Sequence, residues 1–194
     1  VGSVDGTLNV YSTGTNGLLS NSGTLSIGSA GFIADGGGAN NTDFTLTATS
    51  TLKIASATGI STTAGVGNIR VTGTRTYNSG SEVVYNGSAA QVTGNAVPTT
   101  SDITIDNVNG VALTAAITTT GTLTMTNGQL DLANTNLSVG ALTGSTNISH
   151  ATGVAGARTI SVTGNTSPAA YSGVISNGTA TSVSLSKSGS GTLT

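Results

Sequence analysis

Residues 123–139, LTMTNGQLDLANTNLSV, place a leucine at every seventh position, namely Leu123, Leu130 and Leu137. Each leucine opens a short Leu-x-apolar unit, which is the pattern of a strand that buries alternate side chains. The related motif Gly-Thr-Leu recurs at residues 6–8, 23–25, 121–123 and 191–193. Three seven-residue sides make a repeat of about 21 residues, within the period expected of solenoids. The pattern therefore predicts an all-β chain, a parallel β-solenoid with about 20 residues in each coil.

The composition supports a β-rich chain and excludes several classes of protein. Only 6% of the 194 residues are charged, against about 25% in a typical soluble domain. The apolar residues are few but periodic, which is unlike a disordered chain, and Thr, Ser, Asn, Gly and Val form helices poorly. A net charge of −2 without a basic stripe argues against nucleic acid as a partner. No apolar run approaches the ~18 residues of a membrane span.

Alternation of apolar and polar residues predicts which side chains form the core. Units such as Ile103-Thr104-Ile105 bury their first and third residues. The predicted core residues are Leu8, Leu25, Leu46, Ile54, Ile69, Val71, Ile103, Ile105, Leu123, Leu130, Leu132, Leu137, Ile160, Val174 and Leu185.

Five Asn-Gly pairs punctuate the strands. Such a pair tolerates positive φ, and it is typical either of a two-residue hairpin or of a corner between two sides of a coil. The seven-residue spacing favours corners. The pairs are Asn16-Gly17, Asn86-Gly87, Asn109-Gly110, Asn127-Gly128 and Asn177-Gly178.

Two stretches resemble repeats of exported bacterial proteins. Residues 171–194, with Tyr-Ser-Gly-Val-Ile at 171–175 and Leu-x-Lys-x-Gly-x-Gly-Thr-Leu-Thr at 185–194, resemble the autotransporter-associated β-strand repeat. Residues 77–140 resemble, more loosely, a repeat unit of very large secreted surface proteins of Gram-negative bacteria. The resemblance implies a right-handed parallel β-helix at the cell surface. We accordingly expect residues 1–194 to form one β-solenoid segment of a longer repeat protein.

The function expected from these features is extracellular. The chain is interpreted as a structural or adhesive repeat segment of a bacterial surface or filament protein. Its expected partners are flanking repeats of the same chain or further copies stacked end to end, because an open solenoid leaves strand edges unpaired at its ends. Glycans and the surfaces of host or neighbouring cells are candidate ligands. Two alternatives stay open, a polysaccharide-active β-helix enzyme and an ice-binding solenoid.

Residues that carry catalytic or metal chemistry are scarce. His150 is the single histidine and stands beside Ser149, but no Gly-x-Ser-x-Gly elbow is present, which favours a turn histidine. Asp102 and Asp106 lie about 13 Å apart along one strand, too far to act as paired carboxylates unless other acids join from neighbouring coils. Asp35, before three glycines, is interpreted as a loop residue. We therefore predict no enzyme activity, no cofactor, and no catalytic, cofactor-binding or metal-ligating residue.

Threonines and tyrosines suggest two weaker hypotheses. Thr-x-Thr units would form an ice-binding face if they occupied one fixed position in every coil, but their spacing is irregular. The tyrosines are scattered, which favours places at core ends or corners over sugar-stacking platforms. The Thr-x-Thr units begin at Thr45, Thr72, Thr118 and Thr122, and the tyrosines are Tyr11, Tyr77, Tyr85 and Tyr171.

Overall fold

The computed structural model describes residues 2–4, 6–10, 17–36 and 41–194. These ranges contain strands and no helix, so the prediction of an all-β chain is confirmed for them. Tyr11 and Asn16 lie outside the described residues. The strands, in chain order, are β1 Gly2–Val4, β2 Thr7–Val10, β3 Gly17–Asn21, β4 Thr24–Ile27, β5 Phe32–Asp35, β6 Thr42–Leu46, β7 Thr51–Ile54, β8 Arg75–Tyr77, β9 Glu82–Tyr85, β10 Gln91–Val92, β11 Asp102–Asp106, β12 Val111–Ala112, β13 Ile117–Thr118, β14 Thr122–Asn127, β15 Leu130–Asp131, β16 Leu137–Val139, β17 Ala141–Gly144, β18 Ile148–Ser149, β19 Ala157–Val162, β20 Ile175–Ser176 and β21 Ser182–Lys187.

The strands form five sheets in which every recorded pairing is parallel. Paired strands are always separated along the chain by strands of other sheets, so the described residues contain no hairpin. The Asn-Gly pairs therefore do not make two-residue hairpins there, and Gly110, Gly128 and Gly178 adopt the predicted positive φ. The sheet orders are β1-β4-β7-β9-β11-β14-β17, β10-β12-β15-β18-β20, β13-β16-β19-β21, β3-β6-β8 and β2-β5.

The distance along the chain between paired strands is close to the predicted repeat in the middle of the molecule. Ile103 of β11 lies opposite Val83 of β9 and Leu123 of β14, and each of these partners is twenty residues away. Earlier spacings are longer: Leu25 of β4 lies opposite Leu52 of β7, twenty-seven residues on. Leu52 in turn lies opposite Val83, thirty-one residues on, across an irregular segment at residues 55–74. The three seven-residue units after Leu123 contribute to three different sheets, through β14, β15 and β16.

Aliphatic side chains from successive strands stack into one continuous core. Twelve of the fifteen predicted core residues are buried in it, namely Leu25, Leu46, Ile54, Ile69, Val71, Ile103, Ile105, Leu123, Leu130, Leu132, Leu137 and Ile160. The list of predicted core residues omits the two largest fully buried side chains, Tyr85 and Phe44, although Phe44 belongs to the alternating stretch Phe44-Thr45-Leu46. Phe44 packs against Tyr77, with ring centroids 5.8 Å apart.

Three predicted core residues are wrong, since Leu8, Val174 and Leu185 are 36%, 60% and 47% exposed. Leu8 of β2 and Leu185 of β21 point the predicted way, but the structure records one paired strand for each of β2 and β21. The other edge of each strand therefore has, among the described residues, no neighbouring strand whose side chains would cover Leu8 or Leu185. Val174 faces outward for a different reason: its neighbour Ile175 is the residue that aligns with buried Ile148.

Within the described ranges, no helix is long and apolar enough to cross a membrane.

Candidate functional site

Ser149 and His150 are both buried and have different hydrogen-bond partners. Ser149 stands opposite Asp131 on the paired strand β15, and its Oγ accepts a hydrogen bond from Gln129 Nε2 at 2.5 Å. The His150 ring is fully buried, with Nδ1 2.6 Å from Thr179 Oγ1. No hydrogen bond is recorded among Ser149, His150 and Asp131, so these three residues do not form the relay that activates a serine nucleophile.

Asp131 uses its carboxylate to bind backbone. Its Oδ1 accepts N–H groups from Ala133 and Ala151, both at 2.8 Å, and its Oδ2 accepts the Thr152 hydroxyl at 2.5 Å. The side chain is 8% exposed. Because Ala133 and Ala151 follow two paired strands, β15 and β18, the carboxylate joins the turns of neighbouring repeats. Its acceptor positions are engaged within the protein.

As predicted, Asp102 and Asp106 do not pair, but an acid of a neighbouring strand stands beside Asp102. Asp102 and Asp106 lie at opposite ends of β11, whereas Asp102 stands directly opposite Glu82 of β9. Glu82 accepts hydroxyl hydrogens from Thr104 at 2.7 Å and Thr51 at 3.2 Å. Asp102 Oδ1 accepts the Thr122 N–H at 2.7 Å. The twenty-residue repeat, applied to the acids, would have revealed this pair.

The structure places Asp35 at the end of β5 rather than in an isolated loop. Its carboxylate accepts the Thr42 N–H at 2.7 Å, the Thr72 N–H at 3.1 Å and the Thr72 hydroxyl at 2.6 Å. Burial raises the pKa of Asp35, but these hydrogen bonds outweigh it and hold the pKa below its ordinary value. Within the described residues, no three His, Cys, Asp or Glu side chains cluster in a way that could hold a metal ion.

Small hydroxyl side chains cover the outer face of the sheet β13-β16-β19-β21. Thr118, Ser138, Ser161 and Ser186 align across its four strands in one row. Of the Thr-x-Thr units, the one that begins at Thr118 contributes to this row, whereas Thr45 belongs to β6 and Thr122 to β14, in two other sheets. This row is uncharged, and three of its four hydroxyls belong to serines.

The described tyrosines pack against the core. The Tyr85 hydroxyl donates to the Thr93 carbonyl at 2.9 Å, and the Tyr171 hydroxyl donates to the Thr146 carbonyl at 2.8 Å. The buried Tyr77 hydroxyl has no recorded partner. Burial raises the pKa of Tyr77 to about 12, against a smaller opposing effect of the Arg75 charge, and burial likewise raises the pKa of Tyr171 to about 12. These rings anchor the fold and are not free platforms for sugars.

No family model matches the chain, and neither does any curated protein or solved structure. The chain's own geometry therefore carries the functional proposal. That geometry consists of stacked parallel strands, carboxylates engaged by backbone and hydroxyl donors, and long faces of small polar side chains.

Proposed function

We propose that the five sheets are the sides of one right-handed parallel β-helix, which serves as an extracellular structural or adhesive segment of a bacterial surface protein. The observation that carries the proposal is the continuous register of the seven-stranded sheet, in which Val83, Ile103, Leu123 and Leu142 align one above the next. Connections between parallel strands of a sheet are right-handed in almost all proteins, which supports the handedness.

Nearest-neighbour stacking suits a rod. A solenoid is stabilised repeat by repeat, so it lengthens by adding repeats and needs no closed globular core. The chain has no cysteine, and polar contacts between repeats take the place of disulfides. One example is the buried Asn107, whose Nδ2 donates to Gln91 Oε1 at 2.8 Å. The resemblance of residues 77–140 and 171–194 to surface-protein repeats supports a cell-surface location.

The terminal strands support end-to-end contacts with flanking repeats or with further copies. Strand β21 has β19 as its one recorded partner, and its side chain Leu185 is 47% exposed. A strand paired on one side presents unpaired N–H and C=O groups that recruit another strand. We expect the 194-residue chain to associate end to end with rising concentration in sedimentation velocity. A monodisperse monomer at high concentration would contradict this part of the proposal.

The Glu82–Asp102 pair supports a second candidate, a polysaccharide-active enzyme, because adjacent carboxylates are the usual groups of glycoside hydrolysis. Incubating the purified chain with a glycan library separates the two functions. Adhesion predicts binding with no change in glycan length. Cleavage that is lost in both Glu82→Gln and Asp102→Asn would establish the enzyme and overturn the structural role.

A further inference from the structure

Two arginines line one groove at the irregular segment between β7 and β8. The Arg70–Arg75 groove, a cavity of about 410 Å³, is bounded by Thr62, Arg70, Thr72, Gly73 and Arg75. It holds two of the five basic residues of a chain with net charge −2. A second cavity of about 510 Å³ begins on the other side of Arg75 and shares Thr62 with the first. None of the described residues that line either cavity is acidic.

The Arg70 guanidinium is held in place before any ligand arrives. Its Cζ lies 3.8 Å from the centroid of the Phe32 ring, and its Nε donates to the Gly67 carbonyl at 2.8 Å. These two contacts fix the plane of the group. Among the described residues, no partner is recorded for its two terminal nitrogens. A fixed planar fork with free N–H groups matches the two oxygens of a carboxylate, and little rotamer entropy remains to be lost on binding.

In the same groove, Arg75 mainly stabilises the backbone that forms the groove wall. Its Nη1 donates to the Ser61 carbonyl at 2.5 Å, and its Nη2 donates to the Val71 carbonyl at 3.0 Å. These bonds hold both ends of segment 61–71 against β8, so Arg75 shapes the groove and adds a second positive charge. Two nearby carboxylates oppose it: Asp35 accepts the hydroxyl of Thr72, and Asp43 Oδ1 accepts the Thr74 N–H at 2.7 Å beside Gly73. The four charges sum to zero, so an anion would be held by the terminal nitrogens of Arg70, which are unpaired among the described residues, and not by net charge.

We infer that the Arg70–Arg75 groove binds a carboxylate of an acidic, uronate-type polysaccharide, with Arg70 as the bidentate contact. Thr62 and Thr72 line the groove, and Thr99 and Thr100 line the adjoining cavity. The Thr72 and Thr100 hydroxyls donate to Asp35 and to the Tyr77 carbonyl, which leaves their oxygens as acceptors for the hydroxyl groups of a sugar. The anion site rests on the groove alone. Its assignment to a polysaccharide rests on the proposed extracellular function.

Calorimetric titration of the full chain with galacturonate oligomers tests the inference. Oligomers with free carboxylates are expected to bind, and the same oligomers as methyl esters are not. Arg70→Gln removes the fork and should weaken binding at least about tenfold, as expected for the loss of a charge-assisted bidentate pair. The matched control is Lys53→Gln, which removes the same charge from a residue that lines neither cavity.

A second variant guards against a folding defect at Arg70. Thr62→Glu places a carboxylate in the groove at an exposed residue and leaves both arginines intact, and it should also abolish binding. Binding that survives Arg70→Gln and Thr62→Glu, or that is equal for the methyl esters, would overturn the site. Galacturonate monomer binding as tightly as the oligomers would retain the anion site and overturn the polysaccharide. Neither result depends on whether the chain forms end-to-end assemblies.

Discussion

The carbonyl oxygen of Asn107 lies so close to Gly128 that a Cβ on Gly128 would overlap it. The two residues belong to turns one repeat apart, after β11 and β14, and the Asn107 N–H donates to the Asn127 carbonyl at 3.2 Å. The turns therefore stack backbone on backbone, as the strands do. Gly128 meets two demands at once, a φ of +73° and the absence of a side chain.

These two demands can be separated by comparison with Gly65. Gly65 has the same φ of +73°, yet nothing lies within 4 Å of the position of its missing Cβ. Gly65→Ala should cost about 1 kcal/mol of unfolding free energy, from the left-handed backbone alone. Gly128→Ala should cost at least about 3 kcal/mol, because the turns must also move apart. Equal losses in urea unfolding would show that the turns do not stack in this way.

The inward row of the sheet β13-β16-β19-β21 offers a test of where the core ends. Leu137 and Leu185 occupy the same row, two strands apart, but Leu137 is fully buried and Leu185 is 47% exposed. Leu137→Ala should lose about 2–5 kcal/mol of stability through the cavity it leaves. Leu185→Ala should lose under about 1 kcal/mol, since water already reaches the side chain. A larger loss at Leu185 would mean that another strand covers it in solution.

Two buried tyrosines, Tyr77 and Tyr85, differ in whether the hydroxyl is hydrogen-bonded. The Tyr77 hydroxyl is buried without a recorded partner, whereas the Tyr85 hydroxyl donates to the Thr93 carbonyl. Tyr77→Phe should be neutral or should raise the free energy of unfolding by up to about 1 kcal/mol, because it removes a desolvated polar group. Tyr85→Phe should lower that free energy by about 1 kcal/mol. Thermal or urea unfolding of both variants measures these changes. A lower free energy of unfolding in Tyr77→Phe, or a higher one in Tyr85→Phe, would contradict the prediction.

The same tyrosines predict a loss of stability at alkaline pH. Burial raises the pKa of Tyr77 to about 12, while an unfolded tyrosine ionises near pH 10. Between these values the unfolded chain binds fewer protons than the folded chain, so stability is complete below pH 10 and falls up to about pH 12. Tyr77→Phe should make the fall shallower between pH 10 and 12 in urea midpoints. An unchanged slope in Tyr77→Phe would show that Tyr77 ionises as it does in water.

Sequence alone was sufficient for the all-β class and for most of the core. The two-residue period fixes which side chains of Ile103-Thr104-Ile105 share a face, whatever the neighbours are. It could not decide Val174-Ile175, where two apolar residues are adjacent and only the register with Ile148 selects the inward one. Leu185 was assigned the right face, but its exposure depends on strand order, which no local pattern encodes.

The candidate sites could not be predicted without knowing the strand register and the course of one irregular segment. Glu82 and Asp102 meet because paired strands are twenty residues apart at that point. Arg70 stands between two predicted core residues, Ile69 and Val71, but the segment forms no strand. Ile69 makes one isolated bridge with Ile33, and Arg70 lines the same groove as Arg75. Residues 55–74 carry little alternation, so their course could not be derived from periodicity.

In-register stacking of successive parallel strands is the central claim, and engineered cysteines test it most directly because the chain has none of its own. Ser138, Ser161 and Ser186 align on the outer face of β16, β19 and β21. Neighbouring strands lie about 4.8 Å apart, which is within the Cα–Cα separation that a disulfide spans. Strands two places apart in the sheet are about twice as far from each other, which is beyond that separation. Under mild oxidation, Ser138→Cys with Ser161→Cys and Ser161→Cys with Ser186→Cys should form intramolecular disulfides, and Ser138→Cys with Ser186→Cys should stay reduced. A disulfide in the third variant, or none in the first two, would contradict the stacked order.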